Sequence, residues 1–150
     1  MPNKVPYIEQ MESSECGLAC FAMILGYYHH HTTLHELRKY YDTSKAGLSF
    51  SNLKKVAEAY QLEAKTYHIE PEKWDMIQDE PIFPVIAHWE WNHYVVIESM
   101  KKNKVTIVDP SFGRKKITMD ELKQKATGYM MSFHGGEKRP KKKKPTYLTL

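Results

Sequence analysis

Apolar side chains recur at helical spacing through the first 60 residues of the chain. Residues 15–28 are apolar on every turn and follow Ser13 and Ser14, residue types that commonly cap helix N-termini. Residues 33–41 begin with a capping-box pattern, which predicts a second, short helix. Ser51 is expected to cap a third helix with an apolar stripe on one side. The N-terminal part is therefore predicted to be helical.

Beyond residue 61 the pattern changes to short runs rich in valine and isoleucine, which are typical of strands. A helical turn is expected at residues 71–76, a strand-connecting turn at 101–104, and a short capped helix from residue 118. The predicted strands cover residues 63–68, 82–89, 94–98, 105–108 and 129–134. Helices followed by antiparallel strands indicate an α+β fold, with an N-terminal helical half, a C-terminal antiparallel sheet half and a site between them.

Composition and charge narrow the class of protein. The 150 residues are 41% hydrophobic, which suits one domain, and no apolar run approaches the roughly 20 residues that span a bilayer. No signal peptide opens the chain, so a soluble cytosolic domain is expected. The net charge of +4 depends on six lysines and arginines within residues 138–144, without which it is −2. We expect a domain at residues 1–136, a basic linker at 137–150, and no nucleic-acid partner.

Two cysteines, Cys16 and Cys20, lie one helical turn apart. They are not expected to form a disulfide, because side chains at this spacing on a helix rarely reach disulfide geometry. Cys16 lies in the first turn of the predicted helix, where the helix N-terminus favours an anion and hence a nucleophilic thiolate. The alternative for Cys16 is a small buried hydrophobic residue, which is the role expected for Cys20.

A nucleophilic cysteine needs a base, and the chain has eight histidines. His93 opens an apolar strand and can point from a sheet rim into a cleft, although a structural rim histidine fits the same pattern. Asp109 ends the next strand and returns to the same sheet end, where it can hold one imidazole nitrogen and leave the other for Cys16. A turn aspartate before proline is the alternative. Gln10 precedes Cys16 by six residues, so its amide can donate to a developing oxyanion.

A metal site is a weaker interpretation of the same residues. His88, His93 and Asp109 are ligand types, but they lack a tight spacing motif and have no clear fourth ligand. His88 is also the alternative base if His93 does not serve.

Residues 10–20 resemble the N-terminal signature of the C39 peptidase domains, which form the front end of peptidase-containing ATP-binding-cassette transporters for bacteriocins and lantibiotics. Glu12 and Glu15 stand where many relatives carry aspartate, a change that keeps the charge. Cys16 separates the chain from related domains that lack the cysteine and only bind substrate. Further blocks match at residues 88–96, 108–113 and 127–129, so that the resemblance covers about residues 4–134.

The resemblance implies a papain-like cysteine protease fold, with Cys16 as nucleophile, His93 as base, Asp109 as its orienting partner and Gln10 as oxyanion donor. It implies removal of a leader peptide after a Gly-Gly or Gly-Ala pair, coupled to export. No cofactor is expected for the domain; ATP and Mg belong to the full-length transporter. The implied partners are the leader peptide and the transmembrane and nucleotide-binding domains of a homodimeric transporter, at the cytoplasmic face of the bacterial membrane.

Two other functions fit the same scaffold. A binding module would dock leaders for transport without cutting them, and an acyl-transfer enzyme would pass the acyl group to an amine. The basic residues 138–144 would lie beside the membrane and attract anionic lipid at about 1 kcal/mol each; a solvated charge run is the alternative.

Overall fold

The computed structural model describes residues 4–39, 48–90 and 92–135 of the chain. A 3-10 turn, Ser13–Glu15, leads into helix α1, which spans Cys16–Tyr27. Helices α2 and α3 span Leu34–Leu37 and Phe50–Ala59. The helical start of the chain is confirmed.

Two predicted helix caps are wrong. Ser13 and Ser14 lie inside the 3-10 turn, and α1 begins after Glu15, whose side chain makes no cap hydrogen bond to α1. Helix α3 is capped by Ser49, whose hydroxyl accepts the N–H of Asn52 at 3.2 Å. Ser51 lies one residue inside α3. Neighbouring serines, such as Ser49 and Ser51, cannot be ranked as caps from sequence, because the same apolar residues follow each of them.

The strands follow in the C-terminal part, with one addition to the prediction. Strand β5 was not predicted, because its Arg-Lys-Lys run hides the alternation and only Ile117 is buried. The strands are β1 (Glu63–His68), β2 (Val85–Trp89), β3 (His93–Lys101), β4 (Lys104–Asp109), β5 (Gly113–Thr118) and β6 (Ala126–His134). A 3-10 helix, Pro71–Ile77, and helix α4, Met119–Lys125, complete the described elements.

The six strands form one antiparallel sheet in the order β1-β6-β2-β3-β4-β5. Helix α1 packs on one face of it, in an apolar core that includes Phe21, Val96 and Val108. The 3-10 helix Pro71–Ile77 and helix α4 cover the other face of the sheet, around Trp74 and Leu122. The predicted α+β class and its division into helices and antiparallel sheet are confirmed.

The hairpin of β3 and β4 decides where the site can form. Lys101 pairs with Lys104 across a two-residue turn, and Val96 pairs with Val108 further along. The first residue of β3 and the last residue of β4 therefore meet at the opposite end of the hairpin, beside the N-terminus of α1. The predicted turn at 101–104 is confirmed.

Among the described residues, no helix has the length and apolar content needed to cross a membrane. The predicted basic linker, residues 137–150, lies outside the described residues, as does the predicted end of the second helix at residues 40–41. Both stay predictions.

Candidate active site

Cys16 is the first residue of α1 and is buried, with 4% of the residue exposed. Its position at a helix N-terminus places the sulfur where unpaired backbone N–H groups favour an anion. The N-terminal location that the sequence predicted is therefore present. The helix packs against β3, and Cys16 interacts with His93, the residue at which β3 begins.

His93 and Asp109 are in direct contact at that sheet end. Nε2 of His93 lies 2.8 Å from Oδ1 of Asp109, and their side chains are only 21% and 9% exposed. Because Nε2 faces the carboxylate, Nδ1 is the ring nitrogen left to interact with Cys16, whose proximity raises the pKa of His93. The structure thus brings together the three residues that sequence reasoning selected from distant parts of the chain.

The charges of this cluster follow from its contacts. Burial alone lowers the pKa of His93, but hydrogen bonds with Asp109 and Cys16 and their charges raise it to about 9. Burial raises the pKa of Asp109, but its hydrogen bonds with His93 and Ser111 bring the net shift below the ordinary value. At neutral pH the pair is therefore an imidazolium beside a carboxylate.

Ser111 is a site residue that sequence reasoning missed. Its backbone N–H and its hydroxyl both donate to Oδ1 of Asp109, at 2.9 and 2.7 Å. These bonds hold the carboxylate in one orientation toward His93. An Asp-Pro-Ser turn was the available signal, since aspartate side chains often bind the N–H two residues on.

Gln10 lies next to this cluster through a backbone contact. Its N–H donates to the carbonyl of Pro110 at 2.9 Å, which places it against the residue that follows Asp109. Its side-chain Nε2 donates to the carbonyl of Glu12 at 3.2 Å, and a second hydrogen on the same nitrogen is available to a ligand. Oε1 of Gln10 is buried, with no hydrogen-bond partner among the described residues.

Cys20 lies one turn deeper in α1 and is fully buried. Burial raises its pKa well above the ordinary value, so the thiol stays protonated. This environment matches the role of a small buried hydrophobic residue. The two cysteines are both free thiols.

His88 is held away from the cluster. Its Nδ1 lies 3.0 Å from Oγ1 of Thr127, and its ring packs against Tyr94 with the centroids 5.3 Å apart. Within the described ranges, no group of three or more His, Cys, Asp and Glu side chains is placed to hold a metal ion.

Gly17, the residue after Cys16, lies against the ring of Tyr94. A Cβ at this position would lie 3.2 Å from Cδ2 of Tyr94. The absent side chain therefore accommodates the Tyr94 ring. Burial, followed by the nearby charges of Cys16 and Cys20, raises the pKa of Tyr94 to about 12, so the phenol is neutral.

Comparison with known proteins shows to which family this chain is related. The model of the peptidase C39 family matches residues 4–138. Among curated proteins, the colicin V secretion/processing ATP-binding protein of Escherichia coli is 31% identical over 134 residues, which is 89% of this chain and 19% of that protein. The chain therefore spans about a fifth of the length of this relative.

Solved structures agree in fold. A double-glycine motif protease from an AMS/PCAT transporter, solved in complex with the leader peptide, matches with a TM-score of 0.80 and 42% identity, over 88% of this chain and 92% of that one. The peptidase domain of Streptococcus ComA, an ABC transporter of a quorum-sensing pathway, matches with a TM-score of 0.77 and 20% identity, over 89% and 98%; at that identity the match concerns the fold alone. The α+β fold is thus the predicted papain-like one, and the chain belongs to the peptidase C39 family.

Proposed function

We propose that this chain is a cysteine endopeptidase that removes the leader from bacteriocin or lantibiotic precursors after a Gly-Gly or Gly-Ala pair. The observation that carries the proposal is the cluster of Cys16, His93 and Asp109 at the junction of α1 and the sheet end. The likeness to a double-glycine motif protease solved with a leader peptide supports the choice of substrate.

The reaction uses these residues in two stages. The Cys16 thiolate attacks the carbonyl carbon of the second small residue, and the C=O electron pair moves onto oxygen to give a tetrahedral oxyanion. The second N–H of Gln10 Nε2 and the backbone N–H of Cys16 donate to that oxyanion. As the C–N bond breaks, His93 gives its proton to the leaving amine, and a thioester joins the leader to Cys16.

Water then completes the turnover. Neutral His93 takes one proton from water, and the hydroxide adds to the thioester. The C–S bond then breaks to release the Cys16 thiolate and the leader carboxylic acid, which gives its proton to solvent and leaves as the carboxylate. Asp109, held by Ser111, keeps the imidazole in the orientation that serves both stages.

The domain acts within a larger protein in this proposal. Its partners are the leader peptide of the precursor and the transmembrane and nucleotide-binding domains of a homodimeric ABC transporter, at the cytoplasmic face of the bacterial membrane. ATP and Mg serve those other domains, and the peptidase reaction needs no cofactor. The similarity to a secretion/processing ATP-binding protein supports this arrangement.

A test mixes the chain with a leader-bearing precursor and identifies fragments by mass spectrometry. Wild type should give one cut after the small pair. Cys16→Ala should abolish cleavage and leave leader binding near normal, because affinity comes from contacts remote from the sulfur. Cys20→Ala is the matched control and should keep most activity, since its thiol is protonated and buried.

The outcomes separate the candidate functions. Leader binding without fragments from wild type would refute the peptidase and favour a non-cleaving leader-binding module. An added amine that captures the leader in place of water would indicate acyl transfer. Loss of cleavage in Cys20→Ala alone would show that the nucleophile is misassigned.

A further inference from the structure

The N-terminal segment 5–12, here called the strap, runs across the molecule without forming helix or strand. Backbone N–H and C=O groups in such a segment need partners from outside a regular ladder. Two glutamates, Glu15 and Glu98, are buried among the described residues, with exposures of 3% and 4%. Both accept hydrogen bonds from the backbone of the strap.

Glu98, on β3, holds the start of the strap together with Arg114, on β5. Oε2 of Glu98 accepts the N–H of Val5 at 2.7 Å, and Nη2 of Arg114 donates to the carbonyl of Val5 at 2.6 Å. The two side chains also bind each other at 3.0 and 2.8 Å. The carboxylate, the guanidinium and the Val5 peptide groups form one closed ring of hydrogen bonds.

Glu15 holds the end of the strap together with Arg38. Its Oε1 accepts the N–H groups of Met11 and Glu12, each at 3.1 Å, and the guanidinium of Arg38 donates to both of its oxygens, with Nη2 to Oε1 at 3.0 Å. The hydrogen bond from Arg38 lowers the pKa of Glu15 despite its burial, so the carboxylate is ionised at neutral pH.

Between these two anchors the strap is seated on the body of the domain. Pro6 packs so closely on Gly26 of α1 that a Cβ at Gly26 would lie 2.3 Å from Cγ of the proline. Gln10 is bound through its N–H to Pro110, and its Nε2 donates to the carbonyl of Glu12, the residue whose N–H Glu15 holds. The side-chain amide of Gln10 is thus bound to Glu12, which Glu15 anchors, and the backbone N–H of Gln10 is bound to the loop after Asp109.

Stability alone is a poor reason for these pairs, in which a buried glutamate meets an arginine whose side chain is 37% (Arg38) or 34% (Arg114) exposed. Burial of the carboxylate costs desolvation, and solvent near the arginine weakens the attraction that offsets it. Placement is a better reason, since an oxyanion donor must lie within about 2.7–3.1 Å of its target and a shift of about 1 Å can cost roughly 10²-fold in rate.

We propose that the pairs Glu98–Arg114 and Glu15–Arg38 are positioning pairs, which hold the strap so that the Gln10 amide meets the oxyanion. The inference rests on the proposed function, in which Gln10 is the oxyanion donor. It adds four residues outside the cluster of Cys16, His93 and Asp109, and it gives a role to the two buried glutamates, Glu15 and Glu98.

Kinetics in two backgrounds test the proposal. Gln10→Ala alone should lower kcat by roughly 10²–10³. Arg38→Met and Arg114→Met should each lower kcat about 10-fold with KM nearly unchanged when Gln10 is present, and should cause no further loss in the Gln10→Ala background. Arg38→Lys should recover part of the loss, because it restores a charge but not the two-pronged contact.

Controls keep the result interpretable. Lys123→Met removes an ion pair of similar length, 2.7 Å to Asp75, that does not touch the strap, and it should leave kcat unchanged. Glu98→Gln replaces Arg114→Met if that variant does not fold. Equal losses of kcat with and without Gln10, or an unchanged kcat in the arginine variants, would overturn the proposal.

A second measurement does not depend on cleavage. In Cys16→Ala protein, NMR should show faster hydrogen exchange at the N–H groups of Met11 and Glu12 and at the side-chain amide of Gln10 after Arg38→Met. A wild-type chain that cuts no precursor would refute the proposed function. The exchange measurement would still show whether Arg38 holds the strap in place. Unchanged exchange at the Gln10 amide would overturn the positioning role.

Discussion

At the scale of residues, the contacts of His93 have a larger effect on its pKa than its burial has. Desolvation favours the neutral imidazole, yet hydrogen bonds and charges from Asp109 and Cys16 raise the pKa to about 9, against an ordinary value of 6.5. Because the folded-state pKa is the higher one, the charged ring stabilises the fold fully below pH 6.5, and this contribution is lost as pH rises toward about 9. The proton that the leaving amine needs is lost only at the upper end of this range, as pH passes about 9.

Asp109→Asn tests this balance. The amide keeps an acceptor for His93 but removes the negative charge, so the pKa of His93 should fall and the alkaline limb of kcat/KM should move below its wild-type position near pH 9. We expect a lower kcat as well, because an amide can hold the imidazole in the wrong tautomer. The measurement is a pH profile of precursor cleavage.

His88→Gln is the control for that profile. His88 is bound to Thr127 and not to Asp109, so its replacement should leave the alkaline limb in place. An unshifted profile in Asp109→Asn would show that Asp109 does not set the protonation of the base. A shifted profile in His88→Gln would restore His88 as a candidate.

At the scale of elements, α1 is the central helix around which the other elements pack. Residues 16–26 are all buried, so the helix is covered on every side. The sheet, the strap, α2 and α3 surround it, and Cys16 is thereby fixed relative to His93 and Gln10. A helix that is apolar on every face needs neighbours packed against each face. At Gly26 the neighbour is Pro6 of the strap.

Gly26→Ala should destabilise the protein, although alanine is ordinarily favoured over glycine inside a helix by about 0.8–1.0 kcal/mol. The added Cβ would lie 2.3 Å from Cγ and 2.7 Å from Cδ of Pro6, and a proline ring cannot rotate away. We expect a loss of about 1–3 kcal/mol, as for other overpacked sites, measured by urea denaturation.

Pro6→Ala provides the matched background. With the ring carbons gone, Gly26→Ala should cost much less than it does in wild type. An increase in stability on Gly26→Ala in the wild-type background would show that the strap moves aside freely, and it would weaken the claim that the strap is held.

At the scale of the whole molecule, the proposed site lies where the helices meet one end of a six-stranded sheet. In the proposed function, the small residues before the cut bind at this junction and the rest of the leader binds outside it. A leader helix with apolar anchors at helical spacing would supply affinity and selectivity together, which a Gly-Gly pair alone does not.

We therefore expect the substrate to bind at two separate places, with the small pair at the site and the leader helix outside it. A short peptide that carries only the Gly-Gly pair should be a very poor substrate compared with the full precursor. In the precursor, a bulky residue in place of the glycine beside the cut should mainly abolish turnover, whereas a charged residue in place of a leader anchor should mainly raise KM. Steady-state kinetics of the three substrates separate these effects, and efficient cleavage of the short peptide would contradict the model.

The sequence by itself determined the fold class and selected the residues of the site. Helical and strand periodicities persist over many residues and are local, so the order of helices and strands was predictable, as were the β3–β4 turn and the burial of Cys20. Cys16, His93 and Asp109 were selected because each stands at the end of a predicted element, and the structure brings the three together.

Tertiary structure alone decided what holds that site in place. The Glu98–Arg114 and Glu15–Arg38 pairs join residues 16 and 23 positions apart, and nothing in the local sequence distinguishes them from solvated surface charges. Strand β5, which carries Arg114, was not predicted because its charged residues obscure the alternation typical of a strand. The ring that fills the space beside Gly17 is that of Tyr94, on β3. Periodicity reports which way a side chain faces, whereas a buried charge acquires its partner only when the chain has folded.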